Sequence, residues 1–149
     1  MDSRSVLDFM FFNGEIVEGF EIQPLRIKNM HKLIVKRFFE AAHQLPNTDN
    51  LLTKECCRLH GHSYLAKIEF EGSNDRSGMV IDFKGIKEVV DILDHQYIND
   101  ILNVPSTAEN IAKFFYIEIM KRYDLKNLRI SIIEGYHGEE LSNWVEYYE

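Results

Sequence analysis

Three of the six histidines in this 149-residue chain, together with one cysteine, have the types and spacing that could do chemistry. Cys56 stands four residues ahead of a His-x-His pair in Cys56-Cys57-Arg58-Leu59-His60-Gly61-His62, and His43 lies upstream in Phe39-Glu40-Ala41-Ala42-His43. Residues two apart on a β-strand project to the same face, so His60 and His62 can converge on one ion. His62 is in phase with Tyr64, Ala66, Ile68 and Phe70, and His43 with Leu33, Val35, Phe39 and Ala41, so the imidazoles fall on apolar faces. A neutral imidazole is a good zinc ligand, and three protein ligands leave the fourth tetrahedral position open for water or substrate, the arrangement of a catalytic zinc. The pair alone is also compatible with strand patterning by satisfied histidines. The third in-phase histidine and the nearby thiol move the reading to a metal site beside a thiol base.

A free thiol titrates near pH 8.5, and a neighbouring cation or imidazolium makes the thiolate available closer to neutrality. Cys56 is then a candidate base, although a cysteine pair is also compatible with buried filler. Adjacent cysteines cannot staple distant parts of a fold, so reduced thiols are expected. If the stretch is extended, only one of Cys56 and Cys57 faces the metal. Asp94 and His95 fall at the expected end of a helix, where the C-terminal dipole favours an imidazolium and capping alone accounts for the histidine. Glu134 continues the phase of Leu128, Ile130 and Ile132, which puts an ionisable group on an apolar face. That placement is costly without a partner, unless this strand-end acid turns to water.

The elements that must position these groups follow from periodicity. Residues 9–12 and 15–22 read as short extended runs around Asn13-Gly14, a dipeptide favoured in type I′ hairpins. Residues 33–43 and 62–72 read as strands joined by a loop carrying Pro46, Asn47, Asp49 and Asn50. Residues 79–81 read as a short strand. Ile86, Val89, Val90 and Leu93 have helical spacing, giving an amphipathic helix that ends near Asp94 and His95. Ser106 and Glu109 form a capping-box pattern ahead of a second helix of about 15 residues, ending near Tyr123. Leu128, Ile130 and Ile132 alternate in a third long strand, and residues 143–148 give a last one. The order predicts an α+β layer with helices on one face of an antiparallel sheet.

The length suits one core rather than two. A 45% hydrophobic and 28% charged composition is ordinary for a soluble globular protein, and no stretch has the apolar length to cross a bilayer. The N-terminus lacks the basic and then apolar layout of a secretory signal, so a cytoplasmic location is expected. A net charge of −7 argues against a nucleic-acid partner. An anionic ligand would need local positive potential, from a metal and from bases such as Lys54, Arg58 or Lys84.

Phe-x-Ala-Ala-His, Cys-x-x-x-His-Gly-His, Gly78-Met79-Val80-Ile81-Asp82-Phe83, Leu93-Asp94-His95 and Pro105-Ser106-Thr107-Ala108-Glu109-Asn110 occur in this order. The chain so resembles the 6-pyruvoyltetrahydropterin synthase family over residues 32–148, and its Cys-x-x-x-His spacing is similar to the 6-carboxytetrahydropterin synthase branch. Residues 1–29 lie outside the resemblance, as an appended element with a possible hairpin or an upstream translation start, ahead of a pterin synthase-like domain at residues 30–149. The resemblance implies the tunnelling fold, a four-stranded antiparallel sheet with two helices on one face whose subunits close into a barrel, with homohexamers common and active sites at subunit interfaces. It implies Zn2+ on His43, His60 and His62, and Cys56 as the base that abstracts a carbon-bound proton. It makes His95 an acid-base partner oriented by Asp94, and Glu134 the group that anchors the pterin. Thr107 and Glu109 correspond to further pterin-pocket positions. The implied reaction is conversion of 7,8-dihydroneopterin triphosphate to 6-carboxytetrahydropterin with loss of acetaldehyde and triphosphate, serving queuosine or related deazaguanine synthesis. Triphosphate elimination to 6-pyruvoyltetrahydropterin is the alternative within the family. A non-catalytic metal-binding interaction module is the alternative from another class, and Cys56, Asp94, His95 and Glu134 weigh against it. No role follows for His137 or His31 beyond surface positions.

Overall fold

The computed structural model describes residues 11–12, 15–16, 29–47, 54–138 and 143–149. A minimal ribbon comes first, in which β1 (Phe11–Phe12) pairs antiparallel with β2 (Glu15–Ile16) and Phe12 stands opposite Glu15. Two residues therefore intervene, the loop length that the Asn-Gly dipeptide favours. The remainder of the hairpin expected over residues 9–22 lies outside the described residues.

Four strands then form one antiparallel sheet in sequence order: β3 (Met30–His43), β4 (His60–Ser73), β5 (Lys126–Glu134) and β6 (Val145–Tyr148). Alternation decides which face is covered. Val35, Phe39 and Ala41 of β3, Tyr64, Ala66, Ile68 and Phe70 of β4, and Leu128, Ile130 and Ile132 of β5 are buried in one cluster. Two helices, α1 (Phe83–Val90) and α2 (Ala108–Arg122), cover that face through Ile86, Val89 and Val90, and through Ile111, Ala112, Phe115, Tyr116 and Ile119. Phe39 links the layers, stacked on Tyr64 at 4.8 Å between ring centroids and edge-on to Phe115 at 5.6 Å. Between the helices a single 3₁₀ turn, Ile98–Asp100, buries Ile98. Asn127, with φ 51°, marks a bulge where β5 carries an extra residue against β4.

Three local expectations change. Residues 79–81 form no strand. Asp75 closes a turn by taking the Gly78 N–H at 3.1 Å and giving its own to the Met79 carbonyl at 2.8 Å. Val80 then packs against Gly72, where a Cβ would clash with Val80 Cγ1. The first helix ends at Val90, not near Asp94 and His95. Beyond it the chain tightens into i→i+3 bonds, Ile92 to Val89, Leu93 to Val90 and Asp94 to Asp91. The N-cap of α2 is Thr107 and not Ser106: Thr107 Oγ1 accepts the Asn110 N–H at 3.4 Å, while the buried Ser106 hydroxyl is spent on the Gln44 carbonyl and Asn99. The capping box therefore does not form. Glu109 still sits in the first turn, where its charge complements the helix dipole.

Candidate functional site

The β3–β4 register places His43 directly opposite His60 and Ala41 opposite His62, and the β4–β5 register places Tyr64 opposite Glu134. The three histidines and Glu134 consequently meet at one end of the sheet, on the face that the helices cover. Their ligand atoms all lie within 4.8 Å of one another. His43 is buried, with Nε2 3.0 Å from His60 Nε2 and 3.1 Å from Glu134 Oε1. His62 Nε2 is 3.0 Å from the same carboxylate oxygen.

Backbone carbonyls orient two of the rings. His43 Nδ1 donates to the Ser106 carbonyl at 2.8 Å and His60 Nδ1 to the Arg58 carbonyl at 2.6 Å. A carbonyl only accepts, so both Nδ1 atoms carry protons and both Nε2 atoms present lone pairs inward when the rings are neutral. Two such lone pairs 3.0 Å apart repel unless a proton or a metal ion is shared between them. Imidazoles fixed through Nδ1 by a second shell, with Nε2 atoms convergent, are the donor set a metal ion requires. The residues fit a metal ion.

The charges here are coupled. Burial disfavours ionised Glu134, but the His43 bond and the fields of His62, His43 and His60 outweigh it and hold the carboxyl below the ordinary glutamate range. Burial likewise opposes a charged His43, but the Glu134 and Ser106 bonds and the Glu134 charge raise it on balance. His62 is lowered, first by burial and then by His43 and His60 against the pull of Glu134. The Tyr64 hydroxyl is fully buried beside Glu134 and forms no hydrogen bond of good geometry, and burial first, then the Glu134 charge and its nearness to hydrogen-bonding range, hold its proton on well above the ordinary phenol range. Neither this hydroxyl nor the Ser106 and Arg58 carbonyls were singled out from the sequence. A tyrosine two residues beyond His62, at a fully buried position, was the available signal for the first.

Asp94 and His95 come together on the outer edge of β3. Asp94 Oδ1 accepts the Glu40 N–H at 3.0 Å and bonds His95 Nδ1 at 3.0 Å, and the His95 N–H reaches the Glu40 carbonyl at 2.6 Å. The His95 side chain is 77% exposed, and its φ of 56° is left-handed for a non-glycine residue. Cys56 and Cys57 lie in a turn over residues 54–57, so strand alternation does not separate them as expected. The turn is tied down by Leu45 N–H to the Cys56 carbonyl at 2.9 Å, and the Cys57 thiol donates to the Pro46 carbonyl at 3.4 Å. Cys56 is half-buried and contributes no atom to the histidine cluster. Thr107 caps α2 one residue beyond the carbonyl that orients His43, and Glu109 is exposed on its first turn. Lys84 is drawn to Glu88 along α1.

Fold and cluster together define an α+β protein with a site able to hold a metal ion. A family model described as 6-pyruvoyl tetrahydropterin synthase matches residues 32–149. The 6-carboxy-5,6,7,8-tetrahydropterin synthase of Synechocystis sp. is 39% identical over 99 residues, covering 58% of this chain and 74% of the relative. The dihydroneopterin monophosphate aldolase of Pyrococcus furiosus is 36% identical over 110 residues, covering 70% and 90%. The structure of Caenorhabditis elegans 6-pyruvoyl tetrahydropterin synthase shares the fold, with a TM-score of 0.60 at 22% identity over 81% of this chain and 96% of that one. The chain belongs to the 6-pyruvoyl tetrahydropterin synthase family and is a lyase-type enzyme of it.

After loading with zinc, elemental analysis should find metal bound by the wild-type chain and none by a His60→Ala/His62→Ala double variant. Full occupancy in that variant would remove the assignment. A second expectation concerns acid. The Glu40 N–H is the main cause holding Asp94 below the ordinary aspartate range, with burial opposing and His95 and Arg37 adding to it. A carboxyl depressed in the folded state stabilises the fold above the unfolded value, about pH 4, and that contribution is lost as pH falls through the lower folded value. Asp94→Asn should therefore be less stable than wild type at neutral pH, with the gap narrowing in acid, as read from urea midpoints. A gap that does not change with pH would assign the loss to packing.

Proposed function

We propose that this chain is a zinc-dependent lyase that converts 7,8-dihydroneopterin triphosphate and water to 6-carboxy-5,6,7,8-tetrahydropterin with release of acetaldehyde and triphosphate, in queuosine or related deazaguanine synthesis. The observation that carries the reading is the convergence of three imidazole Nε2 atoms beside one ionised carboxylate. His43, His60 and His62 would hold the ion. When bound, zinc polarises side-chain oxygens of the substrate and makes a neighbouring C–H acidic. Glu134 accepts the ring N–H and exocyclic amine of the pterin as a matched, charge-assisted pair of hydrogen bonds. Cys56 removes the carbon-bound proton, and its freedom from the Pro46 bond that engages Cys57 supports that choice. His95 exchanges protons with Cys56, its ring oriented by the 3.0 Å bond from Nδ1 to Asp94. Thr107 and Glu109, where α2 begins, border the pterin.

The carboxy product is supported by the Cys56-to-His60 spacing and by the name of the Synechocystis relative. The Pyrococcus relative, named an aldolase, makes side-chain cleavage the chemistry to test first. Anaerobic incubation of the zinc-loaded protein with 7,8-dihydroneopterin triphosphate should release acetaldehyde in step with pterin consumed. A pyruvoyl pterin without aldehyde would establish the alternative elimination instead.

Closure of subunits into a barrel is supported by the long edge strand β3, whose face away from the helices exposes Met30, Ile34 and Phe38. Among the described residues β3 lies at the edge of the sheet, and an edge strand of that length invites pairing. Light scattering should find a closed homo-oligomer, with a hexamer expected. A fully active monomer would contradict both the barrel and a site shared between subunits.

A further inference from the structure

Tyr64 carries the buried side-chain polar atom that lacks a partner among the described residues. Its ring is held on every side that matters here, stacked on Phe39 with planes 8° apart and in edge contact with the rings of His43 and His62 at 6.2 and 5.7 Å. Packing therefore fixes the hydroxyl beside the cluster. Glu134 is its direct cross-strand partner, and such partners on one face have Cβ atoms about 4.5–5.5 Å apart. A donor without an acceptor thus stands next to a carboxylate occupied by two imidazoles through one oxygen, at 3.1 Å from His43 Nε2 and 3.0 Å from His62 Nε2.

Those two contacts cannot persist once the histidines bind a metal. An Nε2 atom that gives its lone pair to an ion has no proton to donate. Loading the site releases Glu134 from both rings, yet the carboxylate remains within the same 4.8 Å cluster of ligand atoms. Left there, it would complete a His₃Glu set. Four protein ligands make the closed tetrahedral pattern of a structural zinc, whereas catalysis needs the fourth position open.

We propose that Tyr64 is a positioning residue: its hydroxyl takes over Glu134 by a hydrogen bond when the histidines hold metal, keeping the carboxylate out of the fourth position and turned to the substrate ring. The inference rests on the metal-lyase reading above. It gives the buried hydroxyl a partner in its direct cross-strand neighbour, whose second oxygen the two imidazoles do not contact.

Cobalt(II) in place of zinc reports coordination through its visible spectrum and needs no pterin. Cobalt-loaded wild type should bind thiocyanate at the open position with a spectral shift. Tyr64→Phe keeps the ring and its packing, and should bind thiocyanate at least about tenfold more weakly, the lower end of what loss of an outer-shell partner usually changes. Its cobalt should also leave more slowly to a chelator, because Glu134 fills the position. Adding Glu134→Gln to Tyr64→Phe should restore thiocyanate binding, since the amide oxygen is a poor ligand. Equal thiocyanate affinity in wild type and Tyr64→Phe overturns the proposal, as does a loss that Glu134→Gln does not rescue. A Tyr64→Phe chain that takes up no cobalt also overturns it, because the hydroxyl would then serve the cluster's structure. Wild-type protein that takes up no cobalt is the separate outcome that overturns the metal reading itself.

Discussion

The register between β3 and β4 is the constraint on which the rest depends. His43 faces His60 only because Val35 faces Ile68 and Phe39 faces Tyr64 along the same ladder. A slip of one residue would turn every side chain of a strand to the opposite face, moving the clustered histidines to the uncovered side together with the apolar residues that α1 and α2 bury. The free energy that prevents the slip comes from the core. Burial of a large apolar side chain contributes about 1.5–3 kcal/mol, and several such residues on each strand share the one face. The cluster is thus aligned by residues that never touch it.

Position at the end of the sheet explains the chemistry of the cluster. Farther along, the same face is filled by Ile68, Phe70 and Ile130, and no ionisable group could be satisfied there. At the end, the loop leading into α2 brings the Ser106 carbonyl to His43, the turn before β4 brings the Arg58 carbonyl to His60, and β5 ends on Glu134. Backbone groups that have left the ladder become the orienting partners of the rings. Within the cluster, Glu134 stays ionised against burial through its neighbouring imidazoles.

Periodicity made the sheet and its helices legible because burial on one face is a repeated signal, sampled by several residues in every strand and helix. The convergence of His43, His60 and His62 was readable for the same reason, each being in phase with a long apolar run. What escaped was decided by single local bonds. The cap of α2 moved from Ser106 to Thr107 because Ser106 is committed to Gln44 and Asn99, residues of other elements. Cys56 and Cys57 sit in a turn, where alternation says nothing about direction. Residues 79–81 carry strand-like side chains, but the Asp75 turn on one side and the Asp82 cap on the other leave them no ladder to join. Tyr64 reads as one more apolar position in phase, and only coordinates reveal that its hydroxyl lacks a partner. The assignments of Cys56, Asp94, His95, Thr107 and Glu109 came from motif resemblance rather than from periodicity.

The outer edge of β3 near the cluster is engaged by the segment that carries Asp94 and His95. Alternate residues of an edge strand present backbone groups outward, and here Glu40 spends both of its own on the Asp94–His95 segment while Ala42 gives its N–H to the Gln96 carbonyl at 2.9 Å. The end of β3 nearest the histidine cluster is therefore already paired within the chain. Farther back along the same strand, Ile34 and Phe38 are exposed on the face away from the helices. Holding a non-glycine residue in a left-handed conformation costs on the order of 1 kcal/mol or more, and at His95 that cost is offset where the chain docks on β3, through the Asp94 carboxylate and the His95 N–H on Glu40 and the Gln96 carbonyl on Ala42.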